Sequence, residues 1–159
     1  MIQLFITMTI LFFGYVIFIW KRYGIQSSVS ESYYRLPRNL QWLFTLATWG
    51  YALPAMIIGL DLTGNGIVFL AGTGIAFVGA SPAFKGIKME HTVHLIGALV
   101  GITAAQLFLI TEGYWYMTLL FAIFSGLAFI IKYFYNNFIW WVEILAFLSI
   151  WITFMLMAT

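Results

Sequence analysis

The sequence predicts an all-α fold: an integral membrane bundle of six transmembrane helices forming a single domain over residues 1–159. Three observations predict it. The chain is 64% hydrophobic and 8% charged, with mean hydropathy +1.01, whereas a soluble domain has about a quarter of its residues charged. A chain this short of charge cannot cover its own surface with polar groups, so lipid is its solvent. Its apolar residues fall in runs close to the ~20 residues needed by a helix that rises ~1.5 Å per residue to cross a ~30 Å hydrocarbon core. All seven Lys and Arg residues lie in alternate breaks between those runs.

The first run is Ile2 to Trp20. It lacks a basic leader and a small-residue cleavage site, and Trp20-Lys21-Arg22 reads as a stop-transfer flank, so the segment is expected to stay in the mature protein. The second, Gln41 to Leu60, contains Pro54, which should kink the helix or free a carbonyl. The third, Ile67 to Phe84, is rich in small residues (Ala71, Gly72, Gly74, Ala76, Gly79, Ala80, Ser81, Ala83) with Pro82 near its end. Such a helix should pack closely against its neighbours. The fourth is His91 to Ile110, the fifth Trp115 to Ile131 and the sixth Phe138 to Met157. The breaks "DLTGNG" and "TEGY" carry ordinary turn residues. The runs are too long, and alternate too little, for strands of a barrel.

With six spans, the breaks starting at Lys21, Lys85 and Lys132 share one side. They hold Lys21, Arg22, Arg35, Arg38, Lys85, Lys88 and Lys132, while the other two breaks hold only Asp61 and Glu112. The positive-inside rule then puts the basic breaks in the cytoplasm and both termini outside, in a multi-pass cell-membrane protein. Tyr and Trp crowd the span ends (Trp20, Tyr23, Tyr33, Tyr34, Trp42, Tyr114, Trp115, Tyr116, Tyr133, Tyr135, Trp140, Trp141) and are expected to form interfacial belts. The chain has no cysteine, which excludes disulfides and thiolate metal sites. The basic residues are scattered over short loops and form no nucleic-acid patch.

Functional candidates converge on the cytoplasmic side. His91 and His94, the only histidines, are three apart on the fourth span and share a face. That face continues through Ala98, Gly101 and Ala105, and Gly97 and Gly101 form a small-xxx-small pair that admits a close neighbour. Glu143 is the one carboxylate inside a span, and a charge at the bilayer centre costs about 2.5–3.5 kcal/mol even on the lenient insertion scale. It needs a proton and a hydrogen bond, a His or Lys partner, or a metal. The first cytoplasmic loop, "SSVSESYYRLPRN", adds Ser27, Ser28, Ser30, Glu31 and Ser32. Ser28, Ser30 and Ser32 alternate as an extended segment would, and such a segment could close a pocket from below. The ligand-binding candidates are therefore Ser28, Ser30, Glu31, His91, His94 and Glu143. His91, His94 and Glu143 are also candidate metal ligands, and zinc is the ion that imidazole and carboxylate would suit. A metal-free polar cluster touching a lipid headgroup, and a plain helix start with Glu90 facing the N-terminal dipole, are the alternatives.

Three stretches in order, "SVSESYYRLPRNLQWLF", "GIAFVGASPAF" and "HTVHLIGALVG", resemble a bacterial six-span family of unknown function that is distantly like the DRAM, FRAG and Sfk membrane proteins. Ser30-Glu31, Ser81-Pro82 and His91 or His94 would occupy that family's loop, turn and histidine positions. The resemblance implies lipid handling, with no established catalysis. The functional expectation is thus a lipid- or amphiphile-binding membrane protein of a bacterial inner membrane, with membrane lipids as partners and a homo-oligomer allowed. A metal-dependent hydrolase of a lipid amide or ester is the enzymatic alternative, and a small channel or transporter the third. Against the last, no span carries a chain of acids or a basic series through the midplane.

The topology is testable because the chain lacks cysteine. Single cysteines at Arg35 and Lys85 should label only from the cytoplasmic side, and those at Asp61 and Glu112 only from the opposite side. Labelling at Lys85 from outside would overturn the span assignment.

Overall fold

The computed structural model describes residues 1–131 and 136–158. Lys132, Tyr133 and Tyr135, which figure in the charge and aromatic patterns, lie outside the described residues. All regular structure among the described residues is helical: α1 (Ile2–Tyr23), α2 (Trp42–Thr63), α3 (Ile67–Ala80), α4 (Lys88–Thr111), α5 (Trp115–Ile130) and α6 (Phe138–Met157). Two short 3₁₀ turns, Ser30–Arg35 and Arg38–Leu40, sit in the first connection. Four helices, α1, α2, α4 and α6, are long and apolar enough to cross a membrane. With 14 and 16 residues, α3 and α5 span only about 21 and 24 Å.

Helix ends follow local chemistry. Gly24 and Gly64 take positive φ, 78° and 71°, and stop α1 and α2. The third helix was expected to run to Phe84 but stops at Ala80. Ser81 precedes Pro82 and leaves the helical region, with φ −120° and ψ 59°, as the proline ring requires of its predecessor. Residues 81–87 are therefore a loop. Pro54 does not break α2, which passes through it as one helix. The proline has no N–H to offer the Gly50 carbonyl one turn back.

Successive helices pack as neighbours from α1 to α4, and α6 returns against α4, α2 and α1. Phe12 of α1 meets Phe147 of α6 with ring centroids 3.9 Å apart, and Phe5 stacks on Trp151 at 5.4 Å. Five helices thus surround a core, and α5 lies outside against α4 and α6 with only Ala128 buried. The connection after α1 meets both the 81–87 loop and the start of α6: Lys85 pairs with Glu31, and the Trp140 N–H donates to the Ser27 carbonyl at 3.2 Å. At the opposite end Asn65 donates to Glu112 at 2.6 Å. Trp20, Trp42, Trp115 and Tyr116 are exposed, as an interfacial belt requires, but Trp140 is only 3% exposed and belongs to the core.

The closest crossing joins α3 to α4. A Cβ built on Gly74 would lie 2.5 Å from the Gly97 carbonyl oxygen and 2.6 Å from the Gly101 Cα. One built on Gly101 would lie 3.0 Å from Ile75 Cδ1 and 3.3 Å from the Ala71 carbonyl oxygen. At Gly74 every near atom is backbone, so no side chain can swing aside to make room. Gly74→Ala should lower stability by about 1–3 kcal/mol, the usual cost of overpacking, and Gly101→Leu should do at least as much damage. Leu119→Ala on the exposed face of α5 should be nearly silent. Thermal unfolding in detergent decides this, and an unchanged midpoint for Gly74→Ala would contradict the crossing.

Candidate functional site

The site begins at the end of α3. The last carbonyls of a helix have no intrahelical donor and must find one elsewhere. Side chains of α2 and α4 supply donors to the end of this helix. Thr45 Oγ1 donates to the Gly79 carbonyl at 2.9 Å, and Trp49 Nε1 to that of Ala76 at 2.9 Å. His94 Nδ1 lies 3.1 Å from the Ser81 carbonyl oxygen. A carbonyl can only accept, so Nδ1 carries a proton, and in the neutral ring that a buried site favours Nε2 is then the bare nitrogen. Phe84 holds the imidazole flat, stacked at 4.3 Å and 26°.

His94 Nε2 faces Ser30 Oγ at 2.9 Å. A bare nitrogen can only accept, so Ser30 donates. Glu143 also lies beside the Ser30 hydroxyl, and its Oε2 accepts the Val29 N–H at 2.5 Å. Ser30 has one proton to give, so with the ring neutral a proton on the carboxyl would match every donor and acceptor from Glu143 through Ser30 and His94 to the Ser81 carbonyl without net charge. That is the arrangement a low-dielectric site favours.

The connection after α1 was expected to be extended. It is instead a 3₁₀ helix in which Ser30 and Ser32 are both buried and point to different partners. Ser32 gives its proton to the Val29 carbonyl at 2.5 Å, so Tyr15 of α1 is the donor in the 2.5 Å bond to Ser32. The segment is thereby pinned to α1, α4 and α6 at once. Gln26 accepts from Arg35 Nε at 2.9 Å and donates to the Tyr23 carbonyl at 2.8 Å, which braces the same segment.

Of the six predicted site residues, three come together: Ser30, His94 and Glu143. The other three do other work. Ser28 accepts the Glu31 N–H at 3.0 Å and caps the 3₁₀ turn. Glu31 turns outward to Lys85 Nζ at 2.6 Å, and Lys85 also lies over the Tyr34 ring at 5.2 Å. His91 is exposed, with its nearest described ring contact Phe84 at 6.5 Å. A spacing of three leaves the two histidines ~60° apart around the helix, and only His94 falls under the neighbouring loop. Glu90, expected as a dipole partner, accepts the Ala83 N–H at 2.9 Å and ties down the 81–87 loop. Among the described residues no three of His, Asp and Glu converge as metal ligands. The donor set therefore does not fit a zinc site, which needs at least three protein ligands. Sequence reasoning missed Tyr15 and the Val29 amide. Tyr15 had a signal, a polar-tipped residue in the Met8, Phe12, Ile19 stripe that α1 buries, whereas a backbone amide has none.

Above the cluster lies a cavity between α1, α2, α3, α4 and α6, with Val29, Ser30 and Glu143 at one end. Its walls are apolar or small, among them Phe12, Ala55, Ala71, Ile75, Ala105 and Ile150. About 740 Å³ of unfilled space lies among the lining residues, counting the part that opens outward. A water-sized sphere can place its centre in only about 60 Å³ of it, so the space is narrow. Tyr51 also lines it but is engaged, donating to the Phe147 carbonyl at 2.6 Å. No protein-family model, no curated protein and no solved structure matches this chain.

The Val29–Glu143 bond makes a stability prediction. Glu143→Leu strands a buried N–H and should cost about 1–3 kcal/mol. Glu143→Gln keeps an acceptor and should cost clearly less. Equal losses in thermal unfolding would show that the carboxyl group does not hold the loop.

Proposed function

We propose that this protein binds a single-chain amphiphile of the membrane, with the chain in the interhelical cavity and the polar end at Ser30 and Glu143. The observation that carries the reading is the shape and chemistry of that cavity. Ligand sites are mostly apolar with a few convergent polar groups, and this one is narrow, apolar along its walls and polar at one end. A space of 60 Å³ for sphere centres exceeds by several-fold the ~10–15 Å³ that one water needs. Apolar walls give water few partners, whereas an alkyl chain needs none. The resemblance to lipid-handling membrane proteins supports the same reading.

In this proposal all six helices cross the bilayer, with both termini outside and the Ser30, His94 and Glu143 cluster at the cytoplasmic leaflet. The clean segregation of Lys and Arg supports that orientation. The two short helices are accommodated by local thinning of the bilayer, at a fraction of a kcal/mol per Å of mismatch. The metal-dependent hydrolase reading has no convergent ligand set to support it and is not carried further.

Ala146 sits one turn beyond Glu143 and lines the cavity. Protein purified in mild detergent should retain about one amphiphile per chain, detected by extraction and mass spectrometry. Ala146→Leu should lower retention about tenfold, equivalent to roughly 1.4 kcal/mol, with helical content unchanged. Retention no different from that of an Ile123→Leu control on the exposed face of α5 would contradict the reading.

A further inference from the structure

Binding a polar headgroup requires hydrogen-bonding groups, but not the particular order found here. Ser30 Oγ donates at 2.9 Å to the bare Nε2 of His94, whose other nitrogen is fixed at 3.1 Å by a backbone carbonyl. A hydroxyl within about 2.6–3.2 Å of a base that a third group orients is the arrangement that activates a nucleophile. Phe84 stacking prevents the ring from turning away. Ser30 opens the 3₁₀ turn and is one of the residues that line the cavity, so a ligand there would lie beside it.

We infer that Ser30 is a nucleophile and His94 its general base, acting on the carboxylic ester of a long-chain amphiphile lodged in the cavity. The inference rests on the binding reading and adds a reaction to it. Ser30 Oγ bonds to the ester carbonyl carbon while its proton passes to His94 Nε2. The tetrahedral adduct collapses, the C–O bond to the alcohol breaks, and the leaving alkoxide takes that proton from His94. A water then attacks the acyl-serine with His94 again as base, releasing the carboxylic acid and restoring the Ser30 hydroxyl. Nothing is oxidised or reduced, and water is the only co-reactant. Glu143 is a positioning residue: it anchors the Val29 N–H and the Ser30 hydroxyl and so sets the reach of Oγ to His94.

The full-length protein in detergent is treated with a hexadecyl fluorophosphonate, and hexadecylphosphonate serves as its unreactive counterpart. The expected result is a covalent adduct on the peptide carrying Ser30, slowed by excess hexadecylphosphonate and absent in Ser30→Ala. His94→Asn, which keeps an amide donor for the Ser81 carbonyl but lacks Nε2, should slow labelling about 100-fold or more. If that variant does not fold, the unaltered protein still decides: labelling at Ser30 should outpace labelling at the exposed Ser27 by about 100-fold or more, and equal rates at the two serines overturn the base role. Binding of hexadecylphosphonate without an adduct at Ser30 overturns the nucleophile while leaving the binding reading intact. If hexadecylphosphonate neither binds nor shifts the melting temperature, the binding reading fails and the reaction fails with it.

Discussion

The 2.5 Å hydrogen bond from the Val29 amide to Glu143 ties a connecting segment to the inside of a helix bundle, and much of that end of the bundle is organised by it. A carboxyl group inside a span must find a partner, and here the partner is the backbone of the loop that closes the bundle. Once Val29 is held, Ser30 falls against His94 and Ser32 against Tyr15. Val29 and Ser30 thus form the part of this segment that floors the cavity. The same constraint explains why Ser30 and Ser32 of the 3₁₀ turn are buried although polar: each inward hydroxyl has a partner already waiting on a helix.

A second constraint concerns the shortness of α3. Ending that helix at Ser81-Pro82 leaves its last carbonyls without intrahelical donors. Thr45 and His94 supply donors there from the flanking helices, and Trp49 adds one at Ala76. His94 therefore has two jobs. It completes the end of α3 through Nδ1, and because that contact fixes the proton on Nδ1, it leaves Nε2 free to accept from Ser30. A structural requirement at one ring nitrogen creates a chemically useful state at the other. The α3–α4 contact at Gly74, Gly97 and Gly101 brings the histidine close enough to the end of α3 for both.

The helices were legible in the sequence because their cause is local. Runs of apolar residues, the turn glycines and Pro82 mark all six, and α6 has the expected ends, Phe138 and Met157. The largest difference in length, at the end of α3, came from letting an apolar run outweigh the residue before a proline. The site was legible in half. Ser30, His94 and Glu143 stood out as polar groups at one depth on faces that must be packed. Glu31 and His91 stood out equally, and nothing in the pattern says that Glu31 turns out to Lys85 or that the first turn of α4 leaves His91 in the open. Those outcomes depend on how the loops lie over the bundle, a long-range matter that spacing does not encode. Metal ligation was a reading of residue types alone, and among the described residues no three such side chains converge to support it.

The central claim is that Glu143 holds the first loop as the floor of the cavity. Hydrogen exchange of the Val29 amide measures this most directly, since Glu143 Oε2 is its hydrogen-bond acceptor. The account predicts that this loop amide exchanges as slowly as amides within α4 near Gly101, because both need the bundle to open. Exchange at the rate of an unstructured peptide, with the α4 amides still protected, would contradict it.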